Sequence, residues 1–266
     1  MKKKSAGSIA VMLLVMIYLL IPLVISIIYS LFKKWTGILP EGFSIGNYTS
    51  LFSDPNFLAS VVRSVGMCIV PILLTIVIVL LALFVTTIYF PKLEKYVQII
   101  CMIPYTIQGV ILSVSILSLY VGNKSVLSNR MVMLMGAYCI VILPYIYQGI
   151  RNGMRAVNMV TLIEAAEMLG ASKIYAFFRV VVPNIISAII VSSLLAVGII
   201  FGDYVLIRNL AGTSAPNMQI FLYQTMKSDS TKASAVFVII MFVTFVITAV
   251  VLFLKSREGK NRVQKK

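Results

Sequence analysis

The sequence predicts an all-α integral membrane protein with six transmembrane helices and a cytoplasmic helix hairpin between the fourth and the fifth. Three observations carry this expectation. The chain is 60% apolar and only 12% charged, its mean hydropathy is +1.02, and six stretches run nearly free of charge for the length a bilayer requires. Soluble domains hold roughly 45–50% apolar and about 25% charged residues. In hydrocarbon every backbone N–H and C=O must be paired within the protein, so long apolar runs are read as helices, and about 20 residues cross ~30 Å.

The first span covers residues 8–32. Lys2, Lys3 and Lys4 precede it as they would in a signal peptide, but the run exceeds the usual 7–15 residues and no A-x-A-like site closes it. An uncleaved first span is expected. The others cover 64–90, 96–120, 131–150, 185–203 and 235–254. Pro22, Pro71, Pro104 and Pro144 interrupt four of the six, each removing a helical hydrogen bond that neighbours must replace. The connections are unequal: an outer stretch 34–62 with a short amphipathic piece around 48–57, a tight turn 91–95, a long excursion 151–183, and a mixed outer stretch 202–234. No linker separates soluble domains, so residues 1–266 read as one membrane domain.

Lys and Arg fix the orientation, because cytoplasmic segments carry their excess. Of the 23 basic residues, 15 fall at the N-terminus, in 91–95, in 151–183 and at the C-terminus. Both termini are thereby expected in the cytoplasm, with Lys33 and Lys34 against the trend. The net charge of +15 reflects topology and not nucleic-acid binding, which concentrates basic residues on one face of a folded domain. Cys68, Cys101 and Cys139 lie in apolar runs without C-x-x-C pairing, and the chain has no His. No zinc set can be built from them, no metal site is expected, and they read as small buried apolar residues.

The excursion 151–183 reads as helices. Asn158 suits an N-cap for a helix over 159–169, Gly170 suits the position just past its end, and Ser172 suits the cap of a second helix over 173–182. Pro183 is expected to begin the turn into the fifth span. Ala165 and Ala166 beside Glu164 make a thin helix surface that can enter a partner's groove.

The run Glu164-Ala165-Ala166-Glu167-Met168-Leu169-Gly170, with Val180-Val181-Val182-Pro183 downstream, resembles the EAA loop of binding-protein-dependent ABC importer permeases. That pattern is E-A-A, three residues, G, nine residues, I, one residue, L-P. Glu164, Ala165, Ala166, Gly170 and Pro183 match at the family's spacing, and Val180 and Val182 replace Ile and Leu. The resemblance implies a permease domain over the whole chain in a bacterial cell membrane, with the hairpin docking into a cytoplasmic ABC ATPase dimer. It also implies a second permease subunit and an extracytoplasmic substrate-binding protein. The chain has no G-x-x-x-x-G-K-[ST] phosphate loop, so ATP and Mg belong to the partner ATPase, and no enzyme active site is expected.

Ionisable groups near membrane depth are functional candidates. Phe201-Gly202-Asp203-Tyr204, followed by Leu210-Ala211-Gly212, resembles the matching region of spermidine/putrescine permeases and their phosphonate and ferric-iron relatives. A carboxylate beside an aromatic ring would suit a cationic amine, although Asp203 would equally serve as a helix-end residue or a partner of Arg208. Asp203, Tyr204, Tyr105 and Gln108 are the pathway candidates, and the expected solute is a polyamine, a phosphonate or a similar small polar molecule. A sugar importer of the same superfamily, and a non-transport assembly or sensor protein, are the alternatives.

Overall fold

The computed structural model describes residues 6–34, 40–107, 109–122, 126–212 and 215–263; Gln108 lies outside them. In chain order the helices are α1 (Ala6–Ser30), α2 (Gly46–Phe52), α3 (Pro55–Ile88), α4 (Glu94–Met102), α5 (Gly109–Tyr120), α6 (Arg130–Ala156) and α7 (Met159–Met168). They continue with α8 (Lys173–Ala176), α9 (Val182–Asn184), α10 (Ile186–Phe201), α11 (Val205–Leu210), α12 (Met218–Ser228) and α13 (Ser230–Val263). Stretches of α1, α3, α6 and α13 are long and apolar enough to cross a membrane. Two bent pairs reach the same standard if each is one span: Pro91–Tyr105 with Gly109–Tyr120, bent by 100°, and Lys173–Asn184 with Ile186–Phe201, bent by 66°. The fold is therefore helical and membrane-spanning, with four to six candidate spans.

Several boundaries depart from the sequence reading for local reasons. The second expected span, α3, begins at Pro55 rather than at residue 64, because the Asp54 carboxylate accepts from the Asn56 N–H at 2.9 Å and Pro55 suits the first turn. The fourth expected span, α6, runs on to Ala156, so the first six residues of the expected excursion continue a span. The third stretch is broken at a 3-10 turn over Ile103–Tyr105 that contains Pro104. The all-α expectation also misses a small antiparallel hairpin, β1 (Phe32–Lys34) with β2 (Glu41–Phe43), which pairs Phe32 with Phe43 and Lys34 with Glu41.

The centre is a three-helix packing of α3, α6 and α10. Ile142, Ile146 and Ile150 lie along α6 at four-residue spacing and are fully buried, as one helix face turned inward requires. Gly149 and Gly153 let α10 approach α6 closely. A Cβ on Gly149 would sit 2.4 Å from the Ser192 Cβ, and one on Gly153 2.6 Å from the Ala188 Cβ. Small residues four apart on both helices make this contact, as in membrane helix pairs generally. By contrast α1 packs mainly along α13 and leaves its other large apolar side chains outward, as a helix facing lipid does.

Candidate functional site

Most of the residues singled out by sequence fall in two regions, one at each end of the central packing. The first is the hairpin of α7 and α8. Met159 and Ile163 are buried on one face of α7, while Glu164, Ala165 and Glu167 are exposed and Ala166 is half-buried. The helix ends in a glycine-closed turn: Gly170 has φ +83°, its N–H donates to the Glu167 carbonyl at 2.9 Å, and the Ala171 N–H donates to the Ala166 carbonyl at 3.0 Å. Those two bonds and the left-handed glycine form a Schellman motif, which any side chain at residue 170 would strain.

The Ser172 Oγ accepts from the Tyr175 N–H at 3.3 Å, capping α8 as expected. Two other expectations need correction. Asn158 precedes α7, but it sits in the left-handed region at φ 52° and its side chain makes no cap bond. Pro183 does not open the turn into the next span. It lies within α9, after a π-helical turn over Phe177–Val181, and the chain breaks at Ile185 instead. The proline withdraws its N–H and crowds the preceding turn; Asn184 Nδ2 donates to the Val180 carbonyl at 2.8 Å, occupying one of the carbonyls that the irregular turn exposes.

The tip of the hairpin is apolar. Met168 and Leu169, at its tip, are each 90% exposed, and Glu164 beside them forms no ion pair among the described residues. Its base is fixed by Phe177, whose ring lies 4.6 Å from that of Phe84 on α3. The base is also braced by a charge cluster that sequence reading did not find. Glu94 accepts from Arg151 at 2.8 Å and from Arg155 at 3.0 Å, and Arg151 stands 6.0 Å over the ring of the fully buried Tyr147. The cluster ties the start of α4 to the end of α6, immediately before α7. Its one advance signal was the four-residue spacing of Arg151 and Arg155, which places both on one helix face.

The second region is at the C-terminal end of α10. Asp203 does not pair with Arg208. Its carboxylate accepts from the Leu206 N–H at 3.1 Å, the Ile207 N–H at 3.3 Å and the Tyr138 hydroxyl at 3.3 Å. It therefore caps α11 and fastens that helix to α6. Tyr204 packs against Tyr223 with ring centroids 5.2 Å apart. Tyr105 packs elsewhere, edge-on to Tyr145 at 5.0 Å, so the structure joins Asp203 to Tyr204 in one place and leaves Tyr105 in another. Beside α11 a cavity of about 650 Å³ is lined by Ser118, Ser128, Arg130 and Asn209 along with apolar side chains, and Asn209 donates to the Ser113 Oγ at 2.7 Å. Tyr138, Tyr223 and Lys227 were missed by sequence. Cys68 and Cys101 are buried and Cys139 half-buried, and no cluster of metal-ligating side chains occurs among the described residues.

Residues 93–258 match the family described as binding-protein-dependent transport system inner membrane component. The chain belongs to that family. It is a permease subunit of a binding-protein-dependent ABC importer and not an enzyme, which removes the non-transport alternative. The 2-aminoethylphosphonate transport system permease protein PhnV of Salmonella typhi is 20% identical over 76% of this chain and 76% of its own. The spermidine/putrescine transport system permease protein PotC of Haemophilus influenzae is 24% identical over 95% of this chain and 97% of its own. Among solved structures, a bacterial ABC transporter that imports the acidic polysaccharide alginate aligns with a TM-score of 0.65 at 18% identity, covering 94% of each chain. The same transporter in complex with a pentasaccharide-bound periplasmic protein aligns at 0.66 and 17%, covering 92% of each. These likenesses show the fold.

Proposed function

We propose that the chain is a single permease domain crossing the membrane six times, each bent pair being one span, with both termini in the cytoplasm. A second permease subunit completes the pathway, a binding protein delivers solute from outside, and a cytoplasmic ATPase dimer drives the cycle. Glu164, Ala165, Ala166 and Gly170 shape the tip that enters a cleft of the ATPase, and Pro183 sets the bend through which the hairpin meets α10. The observation that carries this reading is the pair Met168 and Leu169, each 90% exposed beyond the membrane-spanning part of α6. Burying each against a partner contributes about 1.5–3 kcal/mol, and Met adapts readily to a partner's surface. The solute is a small polar molecule of the phosphonate or polyamine kind, supported by the PhnV and PotC relatives. Tyr204, Tyr105 and Gln108 line its route, and Asp203 acts there by holding α11. The alginate importer's fold keeps a sugar as the second reading.

A cysteine at Met168 should cross-link to the ATPase in the assembled importer and stay inaccessible to a membrane-impermeant thiol reagent in intact cells. Gly170→Val should insert normally but lower uptake at least about tenfold, because φ +83° is strained for a β-branched residue. Labelling of Met168→Cys from outside, or full uptake in Gly170→Val, would remove the coupling role.

A further inference from the structure

Two helices at the outer end each offer a tyrosine and a cation four residues apart, and the two pairs face one another. At α11 they are Tyr204 and Arg208; on α12 they are Tyr223 and Lys227. A four-residue step sets both groups of a pair on one helix face. The Arg208 guanidinium stands 5.9 Å, and the Lys227 ammonium 4.6 Å, from the same Tyr223 ring centroid. Neither cation forms a salt bridge among the described residues. The carboxylates nearest in sequence are already engaged: Asp203 by Leu206, Ile207 and Tyr138, and Asp229 by Thr231 and the Lys232 N–H.

Two like charges brought to one ring repel, and an exposed cation–π contact offsets only about 0.5–1 kcal/mol for each. Among the described residues no carboxylate lies within ion-pair distance of either cation. Lys227, through a hydrogen bond and its charge, lowers the Tyr223 phenol from its ordinary value against the opposing effect of desolvation, and a more acidic phenol is a stronger donor. A guanidinium fork, an ammonium and two phenols together supply only donors to whatever lies between them, apart from the phenol oxygens. That set suits a group with several acceptor oxygens and a full negative charge.

We propose that Arg208, Lys227, Tyr204 and Tyr223 form a recognition site for an oxyanion, a phosphonate, phosphate or carboxylate group, carried by the imported solute. This rests on the permease reading, with α11 and α12 at the outer face, and narrows its solute. It favours an aminoalkylphosphonate or an acidic sugar and opposes a polyamine, which two fixed cations repel.

The test uses the complete importer in vesicles. Tyr204→Cys, with Gln224→Cys as a second reporter should the first fail to assemble, is reacted with anionic and cationic methanethiosulfonates of similar size. The anionic reagent should react about tenfold faster, and the preference should vanish once Arg208→Gln and Lys227→Gln are added. Methylphosphonate should slow the anionic reagent and putrescine should not. Equal rates for the two reagents would overturn the site. In the second measurement, Arg208→Gln and Lys227→Gln should each lower uptake of labelled 2-aminoethylphosphonate at least about tenfold, with partial recovery in Arg208→Lys, while binding-protein-stimulated ATP hydrolysis persists. Putrescine uptake that these substitutions leave intact would overturn the oxyanion site and leave the permease reading standing. Loss of that stimulation with every solute would make the cluster a docking contact for the binding protein, and would also overturn it. Failure of any ATPase to associate with this chain would sink the permease reading itself.

Discussion

The two ends of the molecule use charge in opposite ways. At the hairpin, one carboxylate gathers two guanidinium groups, Glu94 with Arg151 and Arg155, and the tip beyond them is apolar, Met168 and Leu169. At the end beyond α10 the carboxylates Asp203 and Asp229 are turned onto backbone N–H groups, and what remains on offer is cationic. Under the proposed roles, an end that grips another protein is served by apolar area, which is non-directional and additive, and an end that meets a small polar solute is served by unbalanced charge, which selects by sign. Between them stands the α3–α6–α10 packing, which holds both in register.

The comparison breaks most completely if that packing is forced apart. Gly149→Leu would place side-chain atoms where Ser192 already stands, since even a Cβ there falls 2.4 Å from the Ser192 Cβ. Overpacking a close helix contact costs about 1–3 kcal/mol and more where the obstacle lies near the backbone. The expected outcome is loss of both ends together, seen as a sharp fall in the yield of monodisperse protein and in its thermal midpoint. A Gly149→Leu protein of unchanged midpoint would show that α6 and α10 do not meet this closely.

A smaller effect should separate the two ends. Glu94→Ala leaves Arg151, whose side chain is only 15% exposed, without its carboxylate, at a cost of about 1–3 kcal/mol. Because the cluster braces the segment leading into α7, ATP hydrolysis should continue while uptake per ATP falls severalfold. The reactivity of a cysteine at Gln224 toward charged thiol reagents should not change. A parallel change at Gln224 would mean that the ends are not independent, and that the contrast between them is one property of the whole fold.

How much of this was readable beforehand depends on the range of the interaction. The helix end at Gly170 and the cap at Ser172 follow from rules acting over three or four residues, and both stand where the sequence puts them. Long apolar runs likewise located α1, α3, α6 and α13, because the bilayer imposes a minimum length. Asn158 shows where even local rules fail: a good capping residue was used for its tolerance of the left-handed conformation instead. Pro183 shows the same limit, since it follows a π turn over Phe177–Val181 that no periodicity announces, and the chain breaks two residues after it, at Ile185. The brace of Glu94 with Arg151 joins residues 57 apart, and the bond of Tyr138 to Asp203 spans 65. Such pairs exist only once the helices have packed, so the sequence could offer the individual side chains but not their meeting.

The smallest expected effect is at Asp203, and it sharpens the contrast most. If the carboxylates beyond α10 serve as caps and not as counter-charges, Asn should replace Asp at this position with little loss. Asn and Asp rank together as capping residues, and the Asn side-chain oxygen can still accept from the Leu206 and Ile207 N–H groups. Asp203→Ala removes the acceptor and should cost about 1–2 kcal/mol, read as a lowered thermal midpoint of the assembled importer, and should loosen the Tyr138 hydroxyl as well. Uptake should follow stability: near normal in Asp203→Asn and reduced in Asp203→Ala, with the same change for every solute carried. A counter-charge for a cationic solute predicts the reverse order of importance, because Asp203→Asn would abolish the charge while keeping the cap. Selective loss of cation uptake in Asp203→Asn, at an unchanged midpoint, would return this carboxylate to the pathway and reverse the sign assigned to this end of the molecule.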